Sequence, residues 1–164
     1  SAGGASSDDA AIVDMRGQIA AINKAQAVIE FTLDGKILHA NENFCTALGY
    51  ALDEIKGQHH SMFCTPEYTQ SEEYRDFWLR LNEGQFISGR FHRVGKYNRD
   101  VWIQATYNPI LDLSGRPMKV VKYATDVTEQ KTLLSTVAMS ASAVAAAAPM
   151  PPSRICSSTV RIDV

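Results

Sequence analysis

The stretch 90–109, RFHRVGKYNRDVWIQATYNP, reads as two β-strands folded back on each other. Its second half alternates without a break: Val101, Ile103, Ala105 and Tyr107 fall on one side, Trp102, Gln104, Thr106 and Asn108 on the other. That is the period-two pattern of a pleated strand. Between the halves stand Gly95-Lys96-Tyr97-Asn98, and here the Gly and the Asn are expected to take positive φ in the hairpin turn. Pro109 has no N–H to give to a ladder and is expected to limit how far the second strand runs.

Working outward, the segment before this hairpin is a helix predicted from about Ser71 to Asn82. Its Tyr74, Phe77, Trp78 and Leu81 recur at three-four-three spacing, and Gly84 ends it. Further upstream, Ala27 to Thr32 and Ile37 to Asn41 read as a second hairpin around the turn Leu33-Asp34-Gly35-Lys36. Asn41 or Asn43 then caps a short helix through Phe44 and Leu48 that stops at Gly49, and Leu52 to Ile55 forms one more turn closed by Gly57. Downstream, Leu111 to Pro117 is a turn and Met118 to Thr125 the last strand, in which Lys122 leaves open which parity faces inward. The order strand, strand, short helices, longer helix, three strands predicts an α+β fold. It is a five-stranded antiparallel sheet with its helices on one face, leaving room for a pocket between the layers.

The flanks are different in kind. Asp8 or Asp9 is expected to cap a helix whose Ile12, Met15, Ile19 and Ile22 follow a heptad seam, suited either to packing on its own sheet or to a dimer contact. Asp126 and Thr128 start an exit helix expected to reach Met139, and the Ala/Ser-rich run from Ser140 reads as linker or non-native tail. The expected organisation is a flanking helix in 1–26, a central domain in 27–131 and an exit segment in 132–164.

A chain of 164 residues, 45% hydrophobic and 21% charged, holds one domain with a real core. A net charge of -2 gives no basic face for nucleic acid. Three cysteines without CxxC spacing indicate neither a disulfide framework nor a zinc site, which fits a reducing cytoplasm. No apolar run is long enough to span a bilayer, so no membrane contact is expected of this stretch. The chain opens without Met and is expected to be a piece of something longer. Catalytic signatures are missing too: there is no Gly-x-Ser-x-Gly, Walker loop or His-Glu-x-x-His, and the expectation is a sensor rather than an enzyme.

The segments FWLRLNEGQFISGRF, VWIQATYNPILDLSG and KYATDVTEQ resemble the PAS domains of bacterial chemoreceptors and aerotaxis transducers, and the resemblance covers Ala27 to Lys131. It implies the PAS fold and a sensory role in chemotaxis. It also implies a downstream chemotaxis signalling domain, with output through Asp126 and Thr128, which match the family's Asp-x-Thr motif; a homodimer is expected from the residues themselves, because the seam from Ile12 to Ile22 and an exposed Trp102 near it both need burial. The Phe-Trp-x-x-x-Leu-x-x-Gly pattern resembles the flavin-contacting helix of aerotaxis transducers. There Trp78 would stack on FAD, and Arg93, on the helix side with Phe91, would face an anionic partner. A cofactor-facing set of Trp78, His60, Arg93, Phe91, Ile103, Tyr107 and Phe63 follows. His60 stands where light-sensing flavin PAS domains carry their reactive cysteine, which argues against a cysteinyl adduct. Two further readings stay open: haem b ligated by His60, or a cofactor-free relay in which one of His59 and His60 is an exposed cap and the other a hydrogen-bonded wall.

Overall fold

The computed structural model describes residues 6–147. Five antiparallel strands form one sheet in the order β2-β1-β5-β4-β3: β1 (Ala27–Phe31), β2 (Ile37–Ala40), β3 (Ile87–Val94), β4 (Asp100–Leu111) and β5 (Pro117–Asp126). Between β2 and β3 the chain leaves the sheet for α2 (Glu42–Leu48), α3 (Leu52–Ile55), a 3-10 turn at His60–Phe63, α4 (Pro66–Thr69) and α5 (Glu72–Asn82). The α+β class and the five-stranded antiparallel sheet are those the alternation predicts.

The inner face follows the β4 parity, since Val101, Ile103, Ala105 and Tyr107 are all buried. Their cross-strand partners settle β5. Ala105 pairs with Ala124 and Tyr107 with Lys122, so Lys122 points inward between Val120 and Ala124 and is 1% exposed. From α5, Tyr74, Phe77 and Leu81 pack down on this face. Asn41 caps α2 through a hydrogen bond from the Phe44 N–H, and Gly49 ends it with φ 80°.

Three expectations are corrected. β4 continues through Pro109, which pairs with Val120 and leads to a bulge at Ile110/Leu111. β3 reaches only as far as Tyr107, so beyond that residue β4 has a neighbour on one side and the missing N–H costs no ladder bond on the other. In the β3–β4 turn Asn98 takes positive φ as expected, but its companion is Tyr97, while Gly95 is extended at φ -86°. Gly95 is needed for space instead, because a Cβ there would sit 2.8 Å from the Leu48 carbonyl oxygen. The cap of α1 (Ser7–Ala25) is Ser6, not Asp8 or Asp9. Asp9 closes the box from inside the helix, accepting from the Ser6 N–H while the Ser6 hydroxyl accepts from the Asp9 N–H. No α1 residue is buried, and Ile12, Met15, Ile19 and Ile22 are exposed.

Compact packing divides the chain between Lys131 and Thr132. α6 (Thr128–Ala146) runs past Met139 and through the run expected to be linker, because alanine is the best helix former and nothing in that run breaks the helix. The Pro-rich stretch after it and the final SRICSSTVRIDV lie outside the described residues.

Candidate functional site

The inner site is built from the 3-10 turn. His59 begins it: its Nδ1 accepts the Ser61 N–H at 3.0 Å, so its Nε2 carries the proton and donates to the Asp34 carbonyl at 2.9 Å. With the His60 N–H donating to the Gly35 carbonyl, this ties the turn to the β1–β2 loop and swings His60 into the interior. His60 is 0% exposed. Burial pushes its pKa well below the usual imidazole value, and the nearby Arg93 and Lys122 charges push the same way. The neutral ring has one donor and one acceptor, and both are used: Nδ1 lies 2.9 Å from the Tyr74 hydroxyl and Nε2 3.2 Å from the Tyr107 hydroxyl.

Aromatic rings enclose it. Phe31 and Trp78 meet the imidazole edge-on at 5.3 and 5.4 Å, while Tyr74 and Phe77 lie nearly parallel to it. Tyr107 extends the network, accepting from Arg93 Nη2 at 3.0 Å with its own proton free for His60 Nε2. Desolvation raises the Tyr107 phenol to about 12 against the pull of Arg93, so it stays a hydroxyl. Arg93 is 2% exposed. Its Nη1 donates to the His92 carbonyl, and its Nε has no partner. On the other side of Tyr107, the Lys122 ammonium lies 5.1 Å from that ring and 5.5 Å from Phe44, and burial drives its pKa well below the usual lysine value. The buried polar residues among those described are His60, Arg93 and Lys122, with no carboxylate. The interior is therefore rich in donors and poor in negative charge.

The predicted residues divide three ways. Trp78, His60, Tyr107, Arg93 and Phe91 form a continuous line, with Phe91 5.4 Å from Tyr107. Ile103 is core on β4, paired with Phe91 across the strands. Phe63 turns elsewhere, packing on Phe44 and Tyr50. Trp78 is half-buried and also walls a groove of about 740 Å³ with Leu33, Asp34, His59, Tyr74 and Asn82. Tyr74 and Lys122 belong to the site and were not singled out from the sequence. Tyr74 carried the signal of its place in the α5 stripe, whereas Lys122 carried a misleading one, since a charge on a strand usually marks the wet face.

A family profile described as PAS fold matches residues 37–124, more than half of the chain. The chain belongs to the PAS family. Over 117 residues it is 41% identical to the biofilm dispersion protein BdlA of Pseudomonas aeruginosa, covering 71% of this chain and 28% of that protein. Over 79 residues it is 32% identical to the aerotaxis receptor of Escherichia coli, covering 48% of this chain and 15% of the receptor. The chain thus spans less than a third of the curated relatives it matches. Among solved structures it is similar to a PAS domain from Colwellia psychrerythraea, with TM-score 0.61 and 21% identity over 70% of this chain and 98% of that one. It is similar also to a Light-Oxygen-Voltage domain studied with a flavin analogue, with TM-score 0.59 and 22% identity over 76% and 96%. Both matches are to parts of longer proteins, one a biofilm dispersion protein and the other an aerotaxis receptor.

The exit of the PAS domain is bonded to the sheet. Asp126 accepts from the Thr128 N–H and hydroxyl, the Val127 N–H donates to the Trp102 carbonyl at 2.8 Å, and the Trp102 N–H donates to the Thr128 hydroxyl at 2.9 Å. Trp102 is half-buried. The Lys131 ammonium lies 3.6 Å over its ring and the His92 ring packs tilted against it at 5.0 Å, so it is not the bare outer-face aromatic that a dimer would have to cover. No helix among the described residues is long and apolar enough to cross a membrane.

Proposed function

We propose that this PAS domain is the input module of a chemotaxis-type transducer and that it binds FAD, reporting redox or oxygen status from the cytoplasm. The observation that carries the reading is Trp78. Its ring forms the wall of a groove whose volume, about 740 Å³, falls in the range of roughly 300 to 1,000 Å³ that organic ligands occupy. The groove suits a flat heteroaromatic ring: Leu33, Tyr74 and Leu79 give it apolar sides, and Asp34, His59, Arg75 and Asn82 a polar rim. The Trp78 Nε1–H is turned inward, near the Tyr74 hydroxyl, and the indole itself lines the groove. When bound, the flavin supplies a redox change that alters its charge and hydrogen bonding.

The rest is the chain's own work. Asn82 holds the groove open by donating to both the Leu33 and Trp78 carbonyls, which ties α5 to the β1–β2 turn. A displacement of Trp78 bears on His60, His60 on Tyr107 and hence on β4, and β4 carries Trp102, to which Val127 and Thr128 are bonded. The exposed stripe of α1 is the surface by which two such domains would pair. Haem b on His60 is the weaker reading, because an iron bond requires giving up one of the two hydrogen bonds that hold the ring.

The test is the visible spectrum of the purified chain and three variants, each shown to be folded. Trp78→Phe is expected to keep part of the flavin, Trp78→Ala to lose most of it, and His60→Ala to keep it. A Soret band that vanishes in His60→Ala would replace this reading with the haem one.

A further inference from the structure

The groove at Trp78 does not involve Arg93, and the environment of Arg93 differs from that groove in size and charge. It lies at the edge of the sheet. β3 has a free side, and a cavity of about 260 Å³ opens there between β3 and the segment around Thr65 and Tyr68. Arg93, Arg90, Phe91, Thr65, Tyr68 and Glu73 line it. From these features we infer that the cavity is a binding site for a small monocarboxylate, held by the Arg93 guanidinium.

Four observations carry this. Arg93 is 2% exposed and lines the cavity, yet no carboxylate meets it, and its Nε is a buried donor without a partner. A buried guanidinium normally takes an acceptor at each edge, so the free Nε marks a place where an acceptor belongs. The guanidinium carbon lies 5.0 Å from the Phe91 ring centroid and 5.7 Å from that of Tyr68, so the fork is held in position before any ligand arrives. Thr65 adds a hydroxyl that accepts the Tyr68 N–H at 3.3 Å and keeps its own proton to donate. Size and charge narrow the ligand. The volume lies below the roughly 300 Å³ at which drug-sized pockets begin, which excludes a nucleotide and suits a short acid. Among the lining residues Arg93 and the exposed Arg90 contribute two positive charges and the exposed Glu73 one negative, while His92 is bonded to Asp100 at 2.7 Å, which leaves one charge for a monoanion to neutralise and disfavours phosphate and dicarboxylates.

Such a ligand would act on the same line as the groove, from its other end. Arg93 Nη2 donates to the Tyr107 hydroxyl, so a carboxylate drawing on the guanidinium shifts the partner that Tyr107 offers to His60. The inference does not depend on a flavin being bound.

The test is a titration of the whole chain with sodium pyruvate, followed by the Arg93 side-chain Nε–Hε resonance, with sodium phosphate, succinate and the neutral ester ethyl pyruvate as comparators. Pyruvate is expected to move that resonance saturably and the other three to leave it in place. Arg93→Gln is expected to weaken binding about 10- to 100-fold, the value of a charge-assisted hydrogen bond. Because Arg93→Gln could unfold the chain, Thr65→Val serves as the milder variant and should weaken pyruvate several-fold with the fold intact. A linear shift that never saturates, an equal response to ethyl pyruvate, or unchanged pyruvate affinity in folded Arg93→Gln or Thr65→Val would each overturn the inference. Saturable binding of phosphate or succinate as tight as that of pyruvate would overturn the monoanion assignment. The visible spectrum recorded alongside separates this outcome from that of the flavin reading.

Discussion

His60 makes the stability of this domain fall in mild acid, and the size of the effect follows from its burial. The imidazole is fully buried beside two cations, and its pKa in the folded state lies well below the ordinary 6.5. The unfolded chain therefore takes up the proton first. The stability this group contributes is complete above about pH 6.5 and is lost as pH falls through that value. With the unfolded group near 6.5 and the folded imidazole still neutral, each pH unit below that value removes roughly 1 kcal/mol of stability. Urea unfolding at pH 7.5, 6.5 and 5.5 reads that loss as a drop in midpoint of roughly 0.3 to 1 M, for slopes of about 1 to 3 kcal/mol per molar. The control is His60→Phe, which keeps the ring volume among Phe31, Phe77 and Trp78. It strands the Tyr74 hydroxyl, at a cost of about 1 to 3 kcal/mol at neutral pH, and it has no proton to bind. Its slope between pH 6.5 and 5.5 should be shallower than wild type by about 1 kcal/mol. Equal slopes in the two proteins would refute the placement of a neutral His60 in the core.

Lys122→Met removes an ammonium whose depressed pKa costs stability at every pH below its ordinary range. After the loss of its contacts to Tyr107 and Phe44, it should raise the urea midpoint at pH 7 by an amount worth about 1 kcal/mol; a lower midpoint would show that those ring contacts outweigh the burial cost. Gly95→Ala puts a Cβ 2.8 Å from the Leu48 carbonyl oxygen and should cost about 1 to 3 kcal/mol, whereas Gly115→Ala, with open space around it but φ 81°, tests backbone strain alone in the same melts. Asp126→Ala removes the carboxylate that accepts from the Thr128 N–H and hydroxyl and should destabilise the exit by about 1 kcal/mol while leaving cofactor content unchanged; equal loss of cofactor would make Asp126 part of the pocket.

Much of this fold is legible in the sequence because its signals are local. The alternation of 101–108, the stripe of Tyr74, Phe77 and Leu81, and the glycine stops at 49, 57 and 84 each identify an element without reference to the others. The site is less legible because it depends on contacts far apart in the chain. Lys122 faces inward because Tyr107, across the ladder, does, and no rule applied to MKVVKYAT alone gives that parity. Which of two adjacent histidines enters the core was likewise decided elsewhere, by the Asp34 and Gly35 carbonyls that hold the start of the turn. Tyr97 at φ 59° shows tertiary context overriding residue preference, since a tyrosine and not Gly95 takes a left-handed position beside Asn98 in this turn.

The account's central claim is that a flavin at Trp78 communicates with the exit at Thr128. Amide hydrogen exchange of the FAD-loaded chain, compared between oxidised and chemically reduced samples, tests it most directly. The account predicts a reversible change in protection at Tyr107 and at Val127 and Thr128, whose amides belong to β4 and the exit junction. Bound flavin with identical protection at Val127 and Thr128 in both redox states, or no flavin retained by the folded chain, would contradict it.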